Sequence, residues 1–286
     1  MESIPDMGER RRVRSLFISD VHLGSRFAQA EAFLAFLESY QPEFLYIVGD
    51  FLDGWCLQRA WRWRPVNTRI IHHLLAWAGS GVTIRYTPGN HDGFWREFLK
   101  DFIWFEVADQ FIHESADGRR FVVLHGDQFD GVESNASWLS HLGSVGYDLL
   151  LAVDRSLNYV CRRLGRKAWR LSATVKARIK RVVAFLSGFE EQLAAHARTH
   201  RCDGIICGHI HTPVITERDE ITYCNTGDWV ENCSALLEFD DGELRLVRFC
   251  PGTKTIAHDS SSAAASVSAT AAAPAEAEYS SVKVPA

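Results

Sequence analysis

Residues 44–50, Phe-Leu-Tyr-Ile-Val-Gly-Asp, contain the pattern that decides the fold. The apolar run Phe44–Val48 predicts a buried strand, and the Gly49-Asp50 pair that follows it predicts the turn that ends it. Short apolar runs that stop at a polar or turn-forming residue recur on both sides along the chain. They predict further buried strands at Leu16–Ser19, Val82–Thr87, Phe121–Leu124 and Gly204–Cys207.

Helical periodicity separates the first strands, at Ala28–Glu38 and Thr68–Ala78. Strands that alternate with helices favour an α/β fold. Later in the chain, Asp240-Asp241-Gly242 predicts a hairpin turn between two of the last strands. These later strands are expected at Ile221–Cys224, Ala235–Phe239 and Glu243–Phe249.

Composition shifts predict the domain boundaries. Residues 1–14 form a charged N-terminal tail, and residues 15–253 form the main domain. Residues 134–200 have almost no turn signals and long helical patterns, so we expect a helical insertion there. From residue 254 to residue 286 the chain is rich in Ala and Ser, cannot bury enough apolar surface to fold, and is expected to be disordered.

The overall composition limits the class of protein. Of 286 residues, 47% are apolar and 23% are charged, which is typical of a soluble globular protein, and the net charge of -5 makes nucleic acid an unlikely partner. The seven cysteines form no CxxC pair, so we expect free thiols in a reducing compartment. We see no signal peptide and no membrane-spanning apolar run of about 18–20 residues. The expected location is the cytoplasm, either free or on the inner face of the cytoplasmic membrane.

Each predicted strand end carries residue types that bind metal ions. In open α/β sheets the loops after the strands converge on one site, and residues i and i+2 of an extended segment project the same way. Mixed carboxylate, amide and imidazole ligands suit Mn²⁺, Fe or Zn²⁺ better than Mg²⁺. The clusters are Asp20-Val21-His22, Gly49-Asp50, Gly89-Asn90-His91-Asp92, His125-Gly126-Asp127 and Gly208-His209-Ile210-His211.

Any one of these clusters has an ordinary explanation, because a single Gly-Asp after a strand is most often a turn. The complete set, with helices between its members, indicates a site for two divalent metal ions, for which the ligand types allow Mn²⁺, Fe or Zn²⁺. Two such ions about 3.5–4 Å apart can hold both the attacking and the leaving oxygen of an in-line displacement. The sequence therefore predicts hydrolysis of a phosphate ester or anhydride.

These motifs resemble the signature of the calcineurin-like metallophosphoesterase superfamily, over roughly Leu16 to Phe249. The resemblance implies a sandwich of two mixed β-sheets flanked by helices. It also implies a catalytic role for His91 as the proton donor to the leaving group, with Asp92 orienting it. The metal ligands that it implies are Asp20, His22, Asp50 and His211 for one ion, and Asp50, Asn90, His125 and His209 for the other.

Further motifs resemble the UDP-2,3-diacylglucosamine diphosphatase-like group, which releases UMP and an acylated sugar phosphate in lipid A biosynthesis. Enterobacterial-type members carry Arg after the Asn of the third motif, whereas this chain has His91. A phosphodiesterase or phosphomonoesterase acting on another ester, such as a phospholipid headgroup, and a non-catalytic metal-binding scaffold remain alternatives. The motifs are Asp53-Gly54-Trp55, Trp61-Arg62-Trp63, residues 125–130, the helical insertion and residues 224–229.

The predicted insertion contains a basic, amphipathic stretch. Ten Lys and Arg residues lie in Arg155–Arg181 without an acidic residue, and apolar residues are interleaved with them. Such a helix is typical of a membrane-surface element, although a solvated helix face has the same pattern. Arg178 and Arg181, at i and i+3, and Trp61 are candidate contacts for a phosphorylated, lipid-linked substrate. The resemblance implies a lid over acyl chains, an anionic membrane surface is a further expected partner, and the sequence makes no prediction of oligomeric state.

Overall fold

The computed structural model describes residues 10–94, 104–129, 186, 188–250 and 256–257. Most of the predicted insertion (residues 134–200), including Arg178 and Arg181, lies outside the described residues, and so does most of the tail after residue 253. No helix within the described ranges is both long enough and apolar enough to cross a membrane.

The described chain forms two β-sheets and several helices. The helices are α1 (Ala30–Ser39), α2 (Gly54–Arg59), α3 (Pro65–Gly79), a 3₁₀ turn (Asp127–Phe129) and a helix over residues 188–199. The strands are β1 (Arg11–Ile18), β2 (Tyr40–Val48), β3 (Thr83–Thr87), β4 (Glu106–Val107), β5 (Phe111–Glu114), β6 (Arg120–Val123), β7 (Gly204–Cys207), β8 (Val214–Arg218), β9 (Ile221–Asn225), β10 (Ser234–Glu238), β11 (Leu244–Arg248) and β12 (Ile256–Ala257).

Both sheets are mixed. The first has seven strands in the order β12-β11-β10-β1-β2-β3-β4, with β1 to β4 parallel and the other pairs antiparallel. The second has five strands in the order β5-β6-β7-β9-β8, with β6, β7 and β9 parallel. The predicted fold class, two mixed sheets flanked by helices, is confirmed.

Apolar side chains form three layers. Phe33 of α1 and Leu74 of α3 are fully buried in the core on one side of the first sheet, and Phe17 and Phe121 are fully buried between the sheets. Leu193 belongs to the core on the other side of the second sheet, where the helix over residues 188–199 packs. Each fully buried side chain of this size contributes about 1.5–3 kcal/mol. The order of layers is therefore helix, sheet, sheet, helix.

Two strands, β1 and β12, include residues outside the predicted main domain of residues 15–253. β1 begins at Arg11, inside the predicted N-terminal tail, because its backbone pairs in parallel with β2 from Tyr40 onward. Pairing with a neighbouring strand holds these residues although they are not apolar. Ile256–Ala257, in the segment predicted to be disordered, pairs with β11.

A buried carboxylate joins the two sheets away from the metal ligands. Glu238 of β10 is fully buried, and its oxygens accept hydrogen bonds from Ser15 Oγ (2.5 Å), Arg14 Nη1 (2.6 Å) and the Ala116 N–H (2.8 Å). Nε2 of His113, on β5 of the other sheet, lies 2.9 Å from the carboxylate. Burial alone would raise the pKa of Glu238, but His113, Ser15 and Ala116 outweigh it and lower the pKa to about 2. His113 is thus structural.

Glu238→Ala should lower the free energy of unfolding at pH 7 by about 3–5 kcal/mol, because it leaves a partly buried guanidinium and a buried imidazole without their acceptor. Urea unfolding measures the change. Because the pKa of Glu238 is lowered in the folded state, its stabilisation is complete above the ordinary value of 4.5 and is lost as pH falls towards about 2. The gap between parent and variant should therefore shrink on acidification.

The matched control is Glu243→Ala. Glu243 pairs with Arg245 at 2.5 Å, but half of its side chain is exposed, so its removal should cost less than about 1 kcal/mol. Equal costs for the two substitutions would show that the buried network does not stabilise the sandwich.

Candidate metal centre

Parallel pairing brings the predicted clusters to one edge of the sandwich. In the first sheet Ile18 pairs with Ile47 and Val48 pairs with Thr87, so the loops after β1, β2 and β3 leave side by side. In the second sheet Val123 pairs with Ile206, which places the loops after β6 and β7 together. Backbone bonds tie neighbouring loops, from Asp20 N–H to the Gly49 carbonyl and from Gly208 N–H to the His125 carbonyl, each 3.1 Å long.

Acidic and imidazole groups from these loops meet at short distances. His211 Nε2 lies 3.0 Å and His22 Nε2 lies 3.8 Å from Asp20 Oδ1. Ligand atoms of Asp20, His22 and His211 lie within 4.8 Å of one another. A second group with the same spread contains Asp20, Asp50 and His125, and a third contains His22, Asp50 and His91. Five of the seven predicted metal ligands therefore lie together, largely buried: Asp20, His22, Asp50, His125 and His211.

Asp50 lies between the two groups of ligands. Its Oδ2 lies 3.4 Å from His125 Nε2 and 3.9 Å from His22 Nε2, which the motif assignment places on different ions. Its Oδ1 accepts a hydrogen bond of 2.8 Å from the His91 backbone N–H, which fixes the carboxylate plane. This position suits a carboxylate shared by two cations.

The surroundings of His125 and His209 match those of metal ligands. His125 Nδ1 lies 2.9 Å from the Val48 carbonyl oxygen, which can only accept, so Nδ1 carries a proton and Nε2 faces Asp50. A backbone carbonyl that accepts from the other ring nitrogen commonly fixes a metal-binding imidazole in this way. The His209 N–H donates to Asp20 Oδ2 at 3.0 Å, and the His209 ring centroid lies 5.1 Å from that of His125.

Two further observations test whether the residues fit metal ions. Among the described residues, Asn90 Oδ1 and His125 Nε2 are buried polar atoms with no hydrogen-bond partner, which is costly unless another group satisfies them. Glycine leaves room around them: a Cβ at Gly89 would lie 2.3 Å from Asp50 Oδ1, and one at Gly208 would lie 2.5 Å from Asp20 Oδ2. Oxygen and imidazole donors that are buried and otherwise unsatisfied fit two divalent cations.

Most of the predicted ligands have an unusual backbone. Positive φ angles for residues other than glycine cost about 1–3 kcal/mol each and persist where the surrounding structure imposes them, often at functional sites. The ligands with such angles are Asp20 (52°), His22 (51°), Asp50 (50°), His209 (69°) and His211 (53°).

The charged groups of the cluster also shift one another's pKa values. Burial alone would raise the pKa of Asp20, but His211, His125 and His22 outweigh burial and lower it. Burial would lower the pKa of His211, but Asp20 outweighs that effect and raises it to about 9. The carboxylates of the centre are thus ionised and ready to bind cations.

The structure corrects the predicted partner of His91. His91 Nδ1 lies 3.3 Å from Asp53 Oδ1, whereas the Asp92 carboxylate accepts hydrogen bonds from backbone N–H groups, including Phe51 (2.7 Å), and from the Tyr86 hydroxyl. Asp92 therefore holds the loop, and Asp53 is the carboxylate that orients the imidazole. Burial raises the pKa of Asp92 to about 6, while for His91 the contact with Asp53 outweighs burial and raises the pKa.

The sequence signal that could have identified Asp53 is helix capping. Its Oδ1 accepts a hydrogen bond of 2.9 Å from the Cys56 N–H, as an N-cap residue of α2 does. Of the tryptophans, Trp55 lies against His91, with ring centroids 3.9 Å apart. Trp61 is 75% exposed and stacks on Trp63 at 5.9 Å, and the described contacts do not connect it to the metal ligands.

Comparisons with known proteins find similar chains. The UDP-2,3-diacylglucosamine hydrolase of Aeromonas salmonicida is 26% identical over 249 residues, which cover 81% of this chain and 92% of the relative. The protein of the same name from Neisseria gonorrhoeae is 24% identical over 249 residues, covering 80% of this chain and 96% of the relative. Yfce, a phosphoesterase from E. coli with a solved structure, has a TM-score of 0.44 and 17% identity, over 85% of this chain and 98% of its own.

The calcineurin-like phosphoesterase family matches residues 13–213, which include all the predicted metal ligands. The resemblance predicted from the motifs is confirmed, for the superfamily and for similarity to the UDP-2,3-diacylglucosamine hydrolases. The chain belongs to the calcineurin-like phosphoesterase family and is a metal-dependent phosphoester hydrolase.

Proposed function

We propose that the protein hydrolyses the pyrophosphate of UDP-2,3-diacylglucosamine, or of a similar nucleotide-linked lipid, to UMP and an acylated sugar phosphate. The observation that carries the proposal is the position of Asp50 between two groups of metal-binding side chains. Relatives named as UDP-2,3-diacylglucosamine hydrolases, which match about four-fifths of the chain, support the substrate class.

Two ions, with Mn²⁺ favoured over Fe and Zn²⁺, would occupy the centre. When bound, they supply a hydroxide nucleophile at neutral pH and neutralise the charge that develops on the phosphoryl oxygens. Asp20, His22, Asp50 and His211 would hold one ion. Asp50, Asn90, His125 and His209 would hold the other.

His91, Asp53 and Trp55 serve the transfer of a proton to the leaving group. His91 points its ring towards the centre, 4.7 Å from the ring of His22, and Asp53 contacts it through Nδ1. With Nδ1 oriented by a carboxylate, Nε2 is the atom that donates a proton to the departing oxygen. Trp55 covers the ring of His91 and restricts its motion.

We also propose that the predicted insertion binds an acylated substrate at the inner surface of the cytoplasmic membrane. Ten basic residues of Arg155–Arg181, interleaved with apolar ones, would attract anionic lipid, each contributing roughly 1 kcal/mol near an anionic bilayer. We favour Arg178 and Arg181 as the residues that contact the substrate phosphate. Trp61 is a weaker candidate for substrate contact, since its described ring contact is with Trp63 and not with a metal ligand.

A turnover screen of the Mn²⁺-loaded protein tests the substrate. UDP-2,3-diacylglucosamine should be hydrolysed with a kcat/KM at least about 10²-fold above that for a UDP-sugar without acyl chains, measured as UMP release. A simple diester and a phospholipid complete the panel. If the diester or the phospholipid has the highest kcat/KM, the protein is a phosphodiesterase, as a His rather than an Arg at position 91 would allow. Absence of turnover on all four substrates would favour the scaffold alternative.

A further inference from the structure

The loop between β9 and β10, residues 225–232, crosses from the second sheet to the first beside the metal centre. Asn225, at the end of β9, pairs with Cys207, so the loop starts next to the segment that carries His209 and His211. Ser234 begins β10, which pairs with β1, and Asp20 follows β1. We call residues 225–232 the crossing loop.

On the side of the second sheet, two amides of the crossing loop hold the backbone of the histidine segment. Asn225 Nδ2 donates to the Gly208 carbonyl at 2.6 Å, and Asn232 Nδ2 donates to the His211 carbonyl at 3.0 Å. Both bonds are accepted by backbone carbonyls, and His211, which carries one of them, has a φ of 53°. The crossing loop therefore contacts the backbone of His211 rather than its imidazole.

On the side of the first sheet, the same loop holds the Asp20 segment. The Trp229 N–H donates to the Asp20 carbonyl at 3.0 Å, and Ser19 Oγ donates to the Gly227 carbonyl at 2.8 Å. Asp20 also has a left-handed backbone, with a φ of 52°. One loop thus fixes the backbones of two ligands that come from different sheets.

Asp228 organises the crossing loop. Its side chain is fully buried, and Oδ1 accepts hydrogen bonds from the N–H groups of Val230 (2.8 Å), Glu231 (2.5 Å) and Asn232 (3.3 Å). Oδ2 accepts a hydrogen bond of 2.5 Å from Asn232 Nδ2, the same nitrogen that donates to the His211 carbonyl. One amide nitrogen, with two hydrogens, links Asp228 to the backbone of His211.

We infer that Asp228 and Asn232 are positioning residues for His211 and set the affinity of the ion that Asp20, His22 and His211 hold. The inference rests on the two-metal function proposed above. A backbone with a positive φ persists only where neighbouring groups impose it, and these bonds impose it at His211. Within the described residues, Asn90 and His125 make no hydrogen bond to the crossing loop, so the ion that they hold should be unaffected.

Asn232→Ala tests the inference in the full-length protein. Titration of the metal-free protein with Mn²⁺, followed by calorimetry, should show one ion bound as in the parent and the other bound about 10–100-fold more weakly, the usual effect of losing an outer-shell contact. Electron paramagnetic resonance should show fewer magnetically coupled Mn²⁺ pairs at limiting metal. Excess Mn²⁺ should restore kcat.

Val230→Ala is the matched control, because it shortens a side chain in the same turn and keeps the N–H that bonds Asp228. It should bind both ions as the parent does. If Asn232→Ala also binds both ions with parental affinity, or weakens both equally, the inference is wrong. A parent that binds a single ion contradicts the proposed function instead, so the two failures are distinguishable.

Thermal unfolding of the metal-free proteins separates positioning from folding. Asn232→Ala should unfold within a few degrees of Val230→Ala without metal and should gain less stability from Mn²⁺. If Asn232→Ala does not fold, Asn232→Ser, which keeps a short hydroxyl donor in the turn, takes its place under the same criteria. Loss of folding in both variants would show a purely structural role and overturn the inference.

Discussion

Asp50→Ala should bind neither metal ion and should lose turnover. Asp50 lies between His22 and His125, and a carboxylate shared by two cations belongs to both sites. Because bound metal ions contribute several kcal/mol of charge stabilisation in the transition state, the rate should fall by about 10³-fold or more. Elemental analysis of the purified variant and a hydrolysis assay measure the two effects.

The matched control for this change is Asp53→Asn. Asp53 is another buried carboxylate, with its Oδ2 4.0 Å from His22 Nδ1, but it is not among the predicted ligands. Asp53→Asn should keep both ions and lose turnover only through His91. One ion at full occupancy in Asp50→Ala would contradict the shared carboxylate.

His91→Ala should stay folded and metal-loaded but lose turnover of substrates with poor leaving groups. Removing a general acid typically costs about 10²–10⁴-fold in rate. A nitrophenolate leaving group needs no proton, so hydrolysis of a nitrophenyl ester should decrease much less. Comparing kcat for the two substrate types, at saturating Mn²⁺, measures the difference.

The metal content of His91→Ala distinguishes a proton donor from a ligand, since His91 also lies within 4.8 Å of His22 and Asp50. The proposed role requires that both ions remain. Asp53→Asn should reproduce the same leaving-group pattern with a smaller loss, because the imidazole remains but loses its orienting carboxylate. An equal loss for both substrate types would contradict the role of His91 as proton donor.

The convergence of the metal ligands was predictable because parallel strands place their carboxyl ends at one edge. The runs before Asp20 and Asp50 are largely apolar and the run before Asn90 ends at Pro88-Gly89, so each strand end could be placed to within a few residues. Asp-x-His spacing then pointed to Asp20 and His22, whose ligand atoms lie within 4.8 Å of one another. Sequence patterns therefore predicted the α/β class and the strand-end loops that the structure brings to one edge, while the family resemblance supplied the two-sheet sandwich.

Shorter and more exposed elements were missed for physical reasons. α2 has six residues and no repeated apolar face, so Asp53 was not recognised as its N-cap or as the partner of His91. β5 and β8 lie at the two edges of the second sheet, and their partly exposed residues form no buried apolar run. The family resemblance implied Asp92 as the partner of His91, whereas hydrogen bonds from backbone N–H groups turn its carboxylate towards the loop.

The crossing loop could not be interpreted from the sequence, since its bonds to Gly208, His211 and Asp20 join segments far apart along the chain. Only the pairing of β9 with β7 and of β10 with β1 brings them together. Long-range contacts of this kind depend on sheet order, which strand prediction alone does not provide.

Anomalous diffraction from crystals soaked in Mn²⁺ tests the central claim most directly. Two anomalous peaks should flank the Asp50 carboxylate, about 3.5–4 Å apart, one near Asp20 and His211 and the other near Asn90 and His125. A single peak, or a second peak away from Asp50, would contradict the two-metal centre.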